Sequence, residues 1–121
     1  MTGKYDIEIY NKRVHYHLTV KRNITVIQGD SATGKTELLR MISDYENNGI
    51  SSGITKICEK RCVVIENASW KERLATLQQC IIFIDEGALF LRSKEFTKMV
   101  KGSDNYFVLV TRDSLEHLPY S

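Results

Sequence analysis

The stretch Gly29–Thr36, GDSATGKT, matches the pattern G-x-x-x-x-G-K-[ST] at every fixed position. The run before it, Ile24–Ile27, is short, apolar and rich in β-branched side chains, which favours a buried strand. The run after it, Glu37–Ile42, favours a helix. A glycine loop between a strand and a helix is the setting in which this pattern binds phosphate. The alternative is a glycine turn that happens to precede a helix.

The residue types in this stretch explain its predicted chemistry. Gly29 and Gly34 allow backbone angles that a Cβ would block, so the loop can turn its N–H groups inward around a phosphate. The helix that we expect to begin near Lys35 adds its unpaired N–H groups and positive dipole end. Lys35 can reach the β- and γ-phosphates, and the Thr36 hydroxyl can ligate Mg²⁺. The predicted nucleotide-binding residues are Gly29, Asp30, Ser31, Ala32, Thr33, Gly34, Lys35 and Thr36.

A second motif lies downstream, at Cys80–Glu86, where an unbroken apolar run ends in two acids. A continuous apolar strand is typical of a parallel sheet that is covered on both faces. The acids stand at its carboxyl end, where open α/β sheets bind ligands. We expect Asp85 to hold Mg²⁺ through water, and Glu86 to orient and deprotonate an attacking water.

A third apolar run, Tyr106–Val110, predicts another buried strand and ends in polar residues. A polar side chain just past this strand would lie beside the γ-phosphate, so Thr111 is a candidate sensor. Arg112 is either a phosphate contact or a solvated residue. The predicted catalytic residues are therefore Lys35, Glu86 and Thr111, and the predicted metal ligands are Thr36 and Asp85.

The residues before the glycine loop predict an antiparallel hairpin, because Tyr5–Tyr10 and Val14–Val20 each alternate between polar and apolar residues. His15 and His17 share one face of the second strand. They could hold a metal, but an exposed polar face is the favoured interpretation because no third ligand is evident.

Between the motifs, the pattern predicts a helix from about Lys35 to Tyr45, a short strand at Ile54–Cys58 and a firmer strand at Cys62–Glu66. Cys58 and Cys62 could face each other as a redox or metal pair. Isolated thiols that fill apolar space are the favoured alternative.

Two serines predict the starts of later helices. Ser69 opens a capping box with Glu72, which places a helix start at Trp70. Ser93 could cap a helix that runs to about Lys101. We expect Trp70 to pack in the core, with stacking on a nucleotide base as the weaker alternative.

The whole chain has 121 residues, enough for one domain but not two. The net charge of +2 does not support a nucleic-acid footprint, so a nucleic-acid partner has no support here. No apolar run is long enough for a transmembrane helix, and the N-terminus lacks an apolar signal core. Three cysteines without a C-x-x-C pair do not indicate a disulfide framework. We therefore expect a cytoplasmic protein.

Residues 24–36, 81–86 and 106–112 together resemble the P-loop ATPases in which the metal-binding Asp is followed directly by a catalytic Glu. The hairpin before the loop is most similar to that of ABC-type and AAA-like ATPase domains. The resemblance implies a three-layer α/β/α P-loop NTPase fold with a mainly parallel sheet and an N-terminal antiparallel hairpin, as one nucleotide-binding domain over residues 1–121. It also implies that the strand at Tyr106–Val110 lies between the other two, and that ATP and Mg²⁺ bind.

The chain departs from that family in several ways. It has no L-S-G-G-Q-like signature and no [NT]-K-x-D guanine motif, and we expect no C-terminal lid domain. Three interpretations follow: an ATPase that depends on a protein partner or a second copy of itself, a nucleotide-binding module with little hydrolysis, or a small-molecule phosphotransferase. Glu86 beside Asp85 favours activation of water, and so favours the first over the third.

Overall fold

The structure, a computed structural model, describes residues 4–21, 24–28 and 32–111, and for residues 28 and 32–35 only the backbone. Gly29, Asp30, Ser31 and Arg112 lie outside the described residues. The strands are β1 (Lys4–Tyr10), β2 (His15–Lys21), β3 (Ile24–Gln28), β4 (Thr55–Ile57), β5 (Cys62–Val64), β6 (Ile81–Asp85) and β7 (Tyr106–Thr111). The α-helices are α1 (Ala32–Asn48), α2 (Trp70–Ala75) and α3 (Lys94–Lys101), and short 3₁₀ helices span Gly49–Ser52 and Leu89–Arg92.

The described strands form two separate sheets. β2, β1 and β4 make an antiparallel sheet in that order, and β3, β7, β6 and β5 make a parallel one. The predicted three-layer α/β/α P-loop NTPase fold, with one mainly parallel sheet, is therefore wrong. The physical reason is the short strand β4, which pairs with β1 through Tyr10 opposite Thr55 and Glu8 opposite Ile57. This pairing makes the N-terminal hairpin part of a sheet of its own.

The hairpin itself forms as its alternation predicts. Ile7 and Ile9 of β1 are buried, and Val20 of β2 is buried with them, while His15 and His17 lie exposed on the other face. His15 Nε2 lies 2.9 Å from a carboxylate oxygen of Glu8 across the strand pair. The interpretation of this face as an exposed polar surface is therefore confirmed.

In the parallel sheet, β7 lies between the two motif-bearing strands. Leu109 of β7 is paired with Val26 of β3 on one side and with Ile84 of β6 on the other. This is the strand order that the family resemblance implies. Because all these strands are parallel, their carboxyl ends meet at one edge of the sheet.

The parallel sheet is buried on both faces, as its continuous apolar runs predict. One face packs with α1 and the antiparallel sheet, through Leu38, Met41, Ile42, Ile7, Ile9 and Val20. The other face packs with α2, the second 3₁₀ helix and α3, through Leu74, Phe90, Leu91 and Phe96. Trp70 stacks on Phe90 with ring centroids 4.7 Å apart, which confirms that it is a packing residue. Within the described residues, no helix combines the length and apolar character needed to cross a bilayer.

The helix starts predicted from the sequence agree only in part with the observed ones. α1 begins at Ala32, before the predicted Lys35. Ser93 caps α3 as predicted, because its Oγ accepts a 3.1 Å hydrogen bond from the Phe96 N–H. α2 begins at Trp70 as predicted, but the capping box is wrong: Ser69 has a φ of 56° and its side chain makes no capping bond.

Candidate functional site

The candidate site lies at the carboxyl edge of the parallel sheet. β6 ends there with Asp85, which Glu86 follows directly, and β7 ends there with Thr111. β3 ends at Gln28, and α1 begins at Ala32 directly after the part of the glycine loop that lies outside the described residues. Ala32, Thr33, Gly34 and Lys35 form the first turn of α1, where backbone N–H groups have no partner within the helix.

The two predicted metal ligands line the same cavity. Thr36 in α1 and Asp85 at the end of β6 both border a cavity of about 690 Å³. Its other lining residues come from α1, from the end of β5 and the segment after it, and from the turn after β6: Leu39, Arg40, Ser43, Val64, Ile65, Glu66, Asn67, Ala68, Gly87 and Ala88. The structure thus brings together two residues that are far apart in the sequence.

The donor set of this cavity fits Mg²⁺, which prefers hard oxygen ligands such as a hydroxyl and a carboxylate. Among the described residues, no group of three or more His, Cys, Asp and Glu side chains is arranged to hold a metal ion. Mg²⁺ is usually held by one or two carboxylates, with water and substrate phosphates completing its coordination. Thr36 and Asp85 would therefore hold the ion only together with a phosphate ligand.

The turn after β6 fixes the position of the Asp85 carboxylate. Asp85 Oδ1 accepts a 3.0 Å hydrogen bond from the Gly87 N–H, and the Asp85 carbonyl accepts a 2.9 Å bond from the Ala88 N–H. The first bond restrains the carboxylate at the cavity wall and the second fixes the turn, while Asp85 remains partly exposed.

Two of the three predicted catalytic residues, Glu86 and Thr111, have described side chains. These two side chains contact each other. Thr111 Oγ1 donates a 2.6 Å hydrogen bond to Glu86 Oε1. The Glu86 N–H donates a 3.0 Å bond to the Val110 carbonyl, which fixes Glu86 against the end of β7. Thr111 is completely buried, so this carboxylate is held from the interior side. The side chain of Lys35, the third predicted catalytic residue, is not described.

The sequence interpretation missed several polar residues of this cavity, among them Arg40, Ser43, Glu66 and Asn67. Arg40 is held by ion pairs with Glu37 at 2.5 Å and with Asp44 at 2.8 Å. A signal for Glu66 and Asn67 was available, because they follow β5 and its carboxyl end lies at the same edge as that of β6.

No protein-family model, curated protein or solved structure matches this chain. The resemblance to P-loop ATPases therefore stays a prediction.

Proposed function

We propose that this protein binds Mg²⁺-ATP at the carboxyl edge of its parallel sheet. In this proposal, Gly29–Thr36 hold the phosphates, and Thr36 and Asp85 hold the metal. The observation that supports it most is that Thr36 and Asp85, on different elements, line one cavity of about 690 Å³. A cavity of this volume is within the usual range of small-molecule sites.

The start of α1 supports the phosphate-binding part of the proposal. α1 is 17 residues long, and its first turn carries no acidic side chain. The first turn therefore places no negative side chain of its own at the positive end of the helix dipole. Together with unpaired N–H groups and the Lys35 ammonium, such an end favours an anion.

The second part of the proposal concerns hydrolysis. Glu86 has the chemistry to deprotonate an attacking water, but its carboxylate is engaged by Thr111 at 2.6 Å. We propose slow turnover by the protein alone, with a protein partner or a second copy supplying an arginine, which is typically worth about 10³–10⁵ in rate. The same hydrogen bond also supports a second candidate function, a regulatory module that binds nucleotide and hydrolyses little of it.

Calorimetric titration with Mg²⁺-ATP tests the binding proposal. Lys35→Ala removes the ammonium that we place on the phosphates, and we expect it to weaken binding by roughly tenfold or more, about 1.4 kcal/mol. Lys101→Ala, an exposed lysine at the end of α3, is the matched control and should bind like the wild type. Equal affinities of the wild type and Lys35→Ala would contradict the proposal.

A further inference from the structure

Two cysteines lie at the connection between the two sheets. Cys58 follows β4 of the antiparallel sheet, and Cys62 is the first residue of β5 in the parallel sheet. Both sulfur atoms converge on the main chain of Lys60, in the turn that joins the strands. The Lys60 N–H donates to Cys58 Sγ at 3.4 Å, and Cys62 Sγ donates to the Lys60 carbonyl at 3.8 Å. Both cysteines also fill apolar space, as the favoured interpretation predicts, because Cys62 belongs to the core and Cys58 packs against it.

Each thiol also shifts the pKa of the other, and this makes them chemically different. The hydrogen bond from Cys62 is the largest influence on Cys58 and, with smaller help from the Lys60 N–H and Lys56, lowers the pKa of the Cys58 thiol to about 6. Burial and Glu59 oppose that change. The bond to Cys58, followed by burial, raises the pKa of the Cys62 thiol. Cys58 is therefore the more acidic of the two thiols and the better nucleophile at neutral pH.

Solvent reaches the two sulfurs unequally. Cys58 is half-buried and lines a surface cavity of about 480 Å³ with Tyr5, Ile57 and Glu59. Cys62 is only 2% exposed. A reagent in solution would therefore meet Cys58 first, because Cys62 is buried.

We propose that Cys58 and Cys62 form a redox-active dithiol that reacts with low-molecular-weight disulfides and closes reversibly into a Cys58–Cys62 disulfide. The Cys58 thiolate attacks one sulfur of the reagent disulfide, the reagent S–S bond breaks, and one thiolate leaves and takes up a proton. This first step leaves a mixed disulfide on Cys58.

The second step uses Cys62. Once Cys58 is in the mixed disulfide, its negative charge and its role as hydrogen-bond acceptor are lost, so the main influence that keeps Cys62 protonated is removed. Cys62 gives its proton to solvent, attacks Cys58 Sγ and expels the second reagent thiolate, which is then protonated. In sum, two protein thiols are oxidised to one disulfide, and one reagent disulfide is reduced to two thiols.

Cys80 provides an internal comparison. It is buried, and its sulfur donates to the Gln78 carbonyl at 3.4 Å. We therefore expect Cys80 to take no part in the exchange.

The test is incubation of the full chain with oxidised glutathione at neutral pH, followed by intact mass measurement and peptide mapping. We expect the wild type and Cys80→Ala to lose two hydrogens and to yield a Cys58–Cys62 cross-linked peptide, which a reducing agent reverses. Cys62→Ala should instead accumulate glutathione on Cys58. Cys58→Ser should react about tenfold more slowly or not at all.

Three results would overturn the proposal: a cross-link that includes Cys80, a Cys58→Ser variant that reacts like the wild type, or a wild type that stops at the mixed disulfide. Circular dichroism of each variant shows whether it is folded. Because Cys58 is partly exposed, Cys58→Ser tests the proposal even if Cys62→Ala does not fold.

Discussion

Thr111 Oγ1 donates a 2.6 Å hydrogen bond to the Glu86 carboxylate and so joins the ends of two adjacent parallel strands. The sequence predicts that Thr111 senses a phosphate and that Glu86 activates water. In the structure, the hydroxyl of Thr111, the candidate sensor, is hydrogen-bonded to the carboxylate of Glu86, the candidate base. The two side chains are therefore hydrogen-bonded to each other in this structure.

We expect Thr111→Val to lower the free energy of unfolding by about 1–3 kcal/mol, because it removes a buried donor to a carboxylate while preserving the side-chain shape. Urea denaturation measures the change. Thr55→Val, on an exposed position of β4, is the control and should change the free energy of unfolding by less than about 0.5 kcal/mol. In a double-mutant cycle with Glu86→Gln, additive effects would show that the hydrogen bond does not couple these residues.

Glu86→Gln should reduce phosphate release by roughly 10²–10⁴, because it keeps the shape of the side chain and removes the base. Its affinity for Mg²⁺-ATP should stay nearly unchanged, since in our proposal Glu86 acts on water. Glu72→Gln, on an exposed position of α2, is the control in the same assay. Equal slow rates in the wild type and Glu86→Gln would reject Glu86 as the base and favour the regulatory module. Rapid turnover without a partner would reject the need for a supplied arginine.

The alkylation rate of Cys58 should depend on pH with a midpoint near 6, because the thiolate forms with a pKa of about 6. The rate should fall below that pH and level off above it, whereas an unperturbed thiol would react faster up to about pH 8.5 and beyond. Rates of iodoacetamide labelling, measured on the Cys58 peptide, give the profile. The neighbouring charged and titratable groups are Lys4, Tyr5, Asp6, Lys56, Glu59, Lys60 and Cys62.

The variant Cys62→Ala identifies the cause of that profile. It removes the largest influence that lowers the Cys58 pKa, so the midpoint should move to higher pH. Cys80→Ala should leave it in place. An unchanged midpoint in Cys62→Ala would show that the Lys60 N–H and Lys56 are enough to lower the Cys58 pKa without Cys62.

The sequence predicts the motif-bearing strands well because their signals are local and strong. The run Cys80–Glu86 extends one residue beyond β6 at each end, and Tyr106–Val110 differs from β7 by one residue. The partner of β4 could not be predicted, since three residues with an exposed Ile57 carry no mark of pairing with β1. That one pairing changes the fold class.

The site was predictable in the same uneven way. Asp85 and Thr36 are fixed by motif, and the structure places them on one cavity. Asn67 belongs to no motif and was missed, although its Oδ1 accepts a 2.8 Å hydrogen bond from the Leu89 N–H and so ties the segment after β5 to the turn after β6. The direction of the Glu86 side chain depends on Thr111, a contact between neighbouring strands that residue spacing does not determine.

The central claim is that Thr36 and Asp85 hold one metal ion with the nucleotide, and a double-mutant cycle on Mg²⁺-ATP affinity tests it most directly. Calorimetry on Thr36→Val, Asp85→Asn and the double variant gives the change in the free energy of Mg²⁺-ATP binding for each. Asp6→Asn, on the antiparallel sheet, is the control. We expect each single change to weaken binding by roughly 10–100-fold, and the double change to cost at least about 1 kcal/mol less than their sum. Penalties that add within about 0.5 kcal/mol, or wild-type affinity in either single variant, would contradict the claim.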